Sequence, residues 1–316
     1  KVRVFPCTFE GNTPPVMPEF QEHIDALYEQ LPAQFVDVEM QDAIEVANPE
    51  LSYILIVMGT QRANDGEPPD IYYYGWSVNT DNGGAGGLAM FGSFVAAGAW
   101  IGGSLYRRQT FVHELGHDQA MNHVECMTGA VEQMPPFADD YINDVGTIDW
   151  PGWGLLSKTM HDGFFTYNYM SYCDLGGQTW ANGWNWGKSW DRMNYVAENA
   201  NIVTPRPPVL RGIVGDDGIE GFWTTRARID SERVSGNHIF RFTSHDGEVI
   251  ERPGEWVPAG EGASYQLTVE LPEGFDLDTG TISRVSYGTE STIALPKAMR
   301  IHEKFATDIY ARPPNN

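Results

Sequence analysis

The sequence predicts an α+β amino-terminal part followed by an all-β carboxy-terminal part. Three observations carry this reading. Residues 1–58 alternate short apolar runs with a stretch of helical periodicity, the order that builds a twisted, mostly parallel sheet covered by helices. The segment Thr204-Pro205-Arg206-Pro207-Pro208 is stiff and separates two bodies, so the expected domains are residues 1–206 and 207–316. Beyond it the pattern changes to short alternating runs with hairpin signals.

Val2-Arg3-Val4-Phe5 is the first expected strand. Phe20, Ile24, Leu27 and Leu31 recur at helical spacing with Pro18 near the start, so a helix follows. Leu51–Met58 is an almost continuous apolar run, typical of a central buried strand, and Ile71–Trp76 is another strand. Gly83–Gly103 is rich in Gly and Ala. Its Gly84-Ala85-Gly86-Gly87-Leu88-Ala89 matches a dinucleotide loop only loosely; no strand–turn–helix frame surrounds it, so that reading is rejected. Arg107–Gln119 is an expected helix whose Phe111, Val112 and Leu115 pack inward. Residues 124–165 show little periodicity and read as an irregular lower subdomain. Six of the ten Trp lie between Trp150 and Trp190; a packed loop-region core is the favoured reading over a stacking surface. Ser189–Ala200 reads as a closing helix with Ser189 as its N-cap. In the second part, Ile239–Phe242 and Tyr265–Leu271 are strand-like, Asp246-Gly247 marks a hairpin, and an immunoglobulin-like sandwich is the expected architecture. His238, His245 and His302 are scattered there and form no ligand group.

Residues 113–123 read His-Glu-Leu-Gly-His-Asp-Gln-Ala-Met-Asn-His. His113 and His117 are four apart, so a helix projects both imidazoles from one face. Glu114 follows the first, where it reaches a water on the metal rather than the metal itself. His123 lies too far round to share that face, so the helix must end near residues 118–120 and the chain must turn back. Three neutral nitrogen ligands and one open position describe a catalytic zinc, not a structural one. Downstream, residues 167–173 read Tyr-Asn-Tyr-Met-Ser-Tyr-Cys.

With these two motifs the chain resembles the metzincin zinc endopeptidases, closest to the secreted bacterial, reprolysin-like kind. The resemblance covers roughly the first two-thirds of the chain, and its specific part is the two motifs. It implies a metzincin-like catalytic domain with a twisted mixed sheet and one catalytic zinc on His113, His117 and His123. Glu114 is then the general base, and Met170 the Met-turn residue forming an apolar floor. Tyr172 is a second oxyanion donor or loose metal ligand, against the alternative of a packing residue. It also places an antiparallel edge strand, near Leu88–Phe94, above the zinc to pair with substrate backbone, against the alternative of a plain loop. A Met-turn beneath the zinc makes the segments after His123 and Met170 neighbours, so a Cys126–Cys173 disulfide is expected, against two free thiols. Cys7 is left as a buried inert thiol. One departure is Ala120, where the family has Gly: a left-handed turn there costs an Ala roughly 1 kcal/mol.

The formal charge is −23, a surface that repels nucleic acid and anionic membranes. The longest apolar stretch, Leu88–Ile101, is too short and Gly-rich to span a bilayer. No secretory signal is visible from Lys1, and the chain is read as a trimmed portion of a longer precursor, secreted and monomeric. The expected substrate is an extracellular protein or glycoprotein. Asp139, Asp140, Asn143 and Asp144 are a candidate calcium cluster, but their spacing fits no calcium loop and a solvated acidic loop is favoured. His161 reads as an ordinary loop histidine. Two other readings compete: a zinc peptidase whose third ligand is Glu132, and a non-catalytic adhesin or glycan-binding protein with a protease-like domain.

Overall fold

The structure, a computed structural model, describes residues 1–33, 36–66, 70–78, 86–101, 103–126, 137–143, 145–173, 179–199, 207–215, 218–226, 238–258, 265–286 and 289–293. It is mixed α+β, with four helices and several sheets among the described residues. The chain divides into two compact units, Lys1–Met58 with Pro68–Ile202 and Pro258–Gly262, and Gly59–Glu67 with Val203–Val257 and Ala263–Asn316. Of the expected linker Thr204–Pro208, residues 204–206 lie outside the described residues, and Pro208 already opens a strand.

The chain from Lys1 to Asp118 runs β1 (Val2–Thr8), α1 (Gln21–Gln30), β2 (Val38–Met40), β3 (Ile44–Glu45), α2 (Leu51–Asn64, counted with the second unit from Gly59), β4 (Tyr72–Val78), β5 (Gly87–Ala89), β6 (Val95–Trp100) and α3 (Ser104–Asp118). Short pairs follow, β7 (Gly152–Trp153), β8 (Met160–His161), β9 (Tyr167–Asn168) and β10 (Thr179–Trp180), then α4 (Gly183–Asn199). The main sheet has the order β2-β1-β4-β6-β5, with β3 also on β1. β1, β4 and β6 pair in parallel, while β5 is antiparallel to β6 and ends the order.

Residues 51–58 form the first half of α2, not the expected strand. A continuous apolar run does not distinguish a buried strand from a buried helix, and here the start signal decides. Asn48 Oδ1 accepts the backbone N–H of Glu50 at 3.0 Å, capping a helix that Pro49 helps begin. Leu51, Ile54, Leu55, Ile56, Val57 and Met58 are all buried, so the run is apolar because most of the helix surface is covered. The core that supports the sheet and helices joins Val4, Phe20, Tyr74, Trp76, Phe111 and Leu115. The inward packing expected of Phe111, Val112 and Leu115 is present, each at most 2% exposed.

α4 also begins earlier than expected. Its cap is Asn182, whose Oδ1 accepts the N–H of Trp184 at 3.0 Å. Ser189 is mid-helix and buried, and its hydroxyl donates to Gln119 Oε1 instead. The Trp-rich region is another correction. Trp180 is buried, but Trp150, Trp153, Trp186 and Trp190 are 74%, 51%, 49% and 55% exposed, so the cluster is mostly surface.

The second unit carries β11 (Pro208–Gly215), β12 (Gly218–Arg226), β13 (His238–Thr243), β14 (Val249–Pro258), β15 (Tyr265–Glu270), β16 (Thr281–Ser286) and β17 (Thr289–Ile293). These strands follow one hydrogen-bonded order, β12-β11-β15-β14-β13-β16-β17. Leu210, Phe222, Phe240, Phe242, Leu267 and Ile282 form its core. The expected hairpin at Asp246-Gly247 joins β13 to β14, and Gly247 takes the left-handed φ of 86° that such a turn needs.

Candidate metal centre

α3 presents His113 and His117 one turn apart, both buried. Its end is built by backbone bonds: Met121 N–H to Gly116 O at 3.1 Å and Ala120 N–H to His117 O at 2.8 Å. This is the Schellman closure, and it puts Ala120 in the left-handed region at φ 65°. Ala120 thus makes the left-handed turn without a glycine. The chain reverses and returns buried His123 to the same point.

The three imidazoles lie close enough together to hold one metal ion. His117 Nε2 is 3.1 Å from His113 Nε2 and 3.0 Å from His123 Nε2. The outer nitrogens show how these contacts suit a shared cation. His113 Nδ1 is 2.7 Å from the Tyr169 carbonyl and His117 Nδ1 is 2.8 Å from the Met121 carbonyl. A carbonyl oxygen only accepts, so each Nδ1 carries the hydrogen and each Nε2 of the neutral ring presents a bare lone pair. Burial holds His113 in that neutral form, lowering its pKa to about 4. Burial, and then the charges of His123 and His113, push His117 well below its usual range. Bare lone pairs facing each other at about 3 Å repel, and a shared metal ion removes the repulsion. Among the described residues this is the one such group.

The turn at residues 168–173 lies against this centre. Asn168 Oδ1 accepts the Met170 N–H at 2.9 Å, and Val124 N–H donates to Met170 O at 2.8 Å. Met170 is fully buried and packs on Gly116 of α3. Tyr172 brings its hydroxyl to 2.8 Å from His123 Nε2. Cys126 and Cys173 are joined by a disulfide with a Cα separation of 6.0 Å, which ties the segment after His123 to the segment after Met170. Cys7 is a buried free cysteine; burial pushes its thiol up to about 12.

Glu114 is wholly buried beside the histidines. It packs against β5: a β-carbon at Gly87 would lie 2.6 Å from Glu114 Oε1. The edge strand expected over Leu88–Phe94 is thus a shorter β5 followed by a tight turn at residues 90–93. That turn is tied to α3 by residues that no motif in the sequence marks. Buried Asp118 accepts the Val95 N–H at 3.0 Å and the Ser93 hydroxyl at 3.2 Å. Gly92 N–H donates to the His117 carbonyl at 2.7 Å, and Arg192 of α4 donates to Gly92 O at 2.8 Å. An acidic residue in the last turn of a helix opposes the helix dipole, and that conflict at Asp118 was the available signal.

Other readings fall into place around this centre. Asp140 pairs with Lys188 at 2.6 Å and accepts the Trp184 indole N–H at 2.9 Å, while Asn143 Oδ1 caps Val145 and Gly146. Asp144 and Glu132 lie outside the described residues, as does His302. His161 is buried on β8 and stacks on Trp180, with ring centroids 3.9 Å apart, so it is not an ordinary loop residue. No helix among the described residues is long and apolar enough to cross a membrane. Compared with models of known protein families and with curated proteins, the sequence matches none.

Proposed function

We propose that the first unit is a zinc-dependent endopeptidase of the metzincin type that hydrolyses peptide bonds of extracellular proteins or glycoproteins. The observation that carries this reading is the convergence of three imidazoles beside a buried glutamate and an edge strand. A zinc ion on His113, His117 and His123 would supply an activated water and polarise the scissile carbonyl. Glu114 takes the proton of the attacking water on a carboxylate oxygen and delivers it to the leaving amide nitrogen. Tyr172, with its hydroxyl beside His123, donates to the developing oxyanion. The substrate chain lies extended along β5, adding a strand to the sheet. Met170 supports the histidines from below and does no proton chemistry.

The disulfide supports an oxidising, extracellular setting for this chemistry. The second unit is read as an immunoglobulin-like accessory domain, supported by its antiparallel strands around one buried core.

The test is peptide-mixture cleavage by the zinc-loaded protein, with and without chelator, beside Glu114→Ala. Cleavage by the parent and none by a Glu114→Ala protein that still holds one zinc is the expected result. Cleavage by that variant removes Glu114 from the mechanism. A zinc-loaded parent that cuts nothing supports the adhesin reading. Zinc content of His123→Ala and Glu132→Ala, measured separately, identifies the third ligand.

A further inference from the structure

A cavity of about 280 Å³ opens between α1, the first half of α3, the loop before β8, and β10. Three polar side chains on its wall are buried yet have atoms without a hydrogen-bond partner: Gln30 Oε1, both ring nitrogens of His161, and Thr179 Oγ1. Their residues are 4%, 5% and 8% exposed. A buried polar atom left unpaired is costly, and three around one cavity call for a guest that pairs with them.

The charge of the wall selects the guest. Glu22, Asp25 and Glu29 line the cavity from one face of α1, against a single cation, Arg108 of α3. Glu22 is paired with Arg107, whereas Asp25 and Glu29 contact an amide and backbone N–H groups and keep the wall anionic. Glu29 Oε1 accepts the N–H groups of Leu156 and Ser157 at 2.6 and 2.8 Å, and Asp25 Oδ1 accepts from Gln21 at 2.9 Å. Glu22 stands 4.0 Å from Arg107. Burial holds the His161 imidazole below its usual range, so the neutral ring offers an acceptor nitrogen. An anion would meet three carboxylates. A metal ion lacks a converging ligand set here, since among the described residues only the three histidines form one. Ammonium and guanidinium groups carry several donors, which pair with Gln30 Oε1, Thr179 Oγ1 and the acceptor nitrogen of His161. The volume suits one alkyl chain with such a head, and is smaller than the usual pocket for a drug-sized ligand.

We propose that this cavity binds an alkylammonium or alkylguanidinium group, brought either by a small organic cation or by a lysine or arginine side chain of a polypeptide. Leu105 and Gln109 on its wall precede His113 by two turns and one turn of the same helix, so an occupant sits against the element that carries the metal ligands.

Calorimetric titration of the zinc-loaded full chain with n-butylguanidinium, n-butylammonium and the neutral n-butylurea tests this. The cations are expected to bind at least about tenfold more tightly than the urea. Asp25→Asn is expected to weaken them about tenfold. Ala26→Leu, which fills the cavity from half-buried α1, is expected to abolish binding while leaving circular dichroism unchanged. A His161 ring resonance that moves on cation addition in the parent and not in Ala26→Leu places the ligand without relying on either variant's affinity. Equal binding of the urea, no binding of either cation at about 10 mM, or unchanged binding in a folded Ala26→Leu overturns the proposal. Short peptides carrying Arg, Lys or citrulline, titrated into Glu114→Ala, separate the two sources. Because that variant lacks the proposed base, cation binding and peptide hydrolysis succeed or fail independently.

Discussion

A β-carbon added at Gly116 would lie 2.4 Å from the sulfur of Met170. The glycine between Glu114 and His117 is therefore what lets the turn at Met170 press directly onto α3. The same contact sets the height of Tyr169, whose carbonyl orients His113.

Gly116→Ala is expected to destabilise the first unit by about 1–3 kcal/mol through overpacking, a loss that outweighs the gain in helix propensity. Zinc affinity is expected to fall with it, because the Tyr169 carbonyl moves away from His113. Denaturant unfolding and competition titration of zinc check the two effects.

Gly87→Ala probes the other side of the centre. Its β-carbon would meet Glu114 at 2.5 Å from Cγ, so the carboxylate must swing aside. On the proposed mechanism kcat is expected to fall about 100-fold, the penalty for misplacing a reacting group by about 1 Å, with zinc content unchanged. Steady-state kinetics beside metal analysis test it; full activity would mean that Glu114 needs no such packing.

Asp118 links the metal helix to β6 through the Val95 N–H. Asp118→Ala removes a buried charge-assisted bond, worth about 1.5–3 kcal/mol, and leaves the Val95 N–H only the Ser93 hydroxyl oxygen at 3.1 Å. Faster amide exchange at Val95 and Ser93 is expected, with the three histidines still binding zinc. Exchange measured by NMR on the zinc-loaded protein decides whether this carboxylate anchors the turn.

His23 gives the unit a pH dependence. Its ring is fully buried among Phe20, Trp76 and Phe111, and burial lowers its pKa to about 4. The folded state thus binds the proton less readily than the unfolded state, with its ordinary value of 6.5. Stability from this group is complete above about pH 6.5 and is lost as pH falls toward about 4, by about 3 kcal/mol in all. His23→Phe removes this contribution. Between about pH 6.5 and 4 the Tm of the parent is expected to fall relative to that of His23→Phe, with the gap between the two constant above that window.

Two misread elements show where local pattern stops. Residues 51–58 carry an apolar run that serves a strand or a buried helix equally well, and the decision came from Asn48 and Pro49 just before it. α4 was placed too late because Ser189 looks like a cap, whereas Asn182 is the cap and Ser189 faces Gln119. In both cases the helix start was written in a side chain outside the periodic segment. The exposed Trp150, Trp153, Trp186 and Trp190 are a different kind of error: composition does not say which aromatic residues find a core.

The metal helix, the pairing of His113 with His117, the left-handed Ala120 and the partners Cys126 and Cys173 could all be named before any coordinates. They follow from local geometry, with a residue spacing that permits one backbone path, or from a motif whose pattern includes them. Gly87 under Glu114, Gly116 under Met170, Asp118 holding Val95 and the unpaired wall around His161 belong to the tertiary structure alone. Each joins residues more than twenty positions apart or on different elements, and packing distances of that kind leave no periodic trace in the chain.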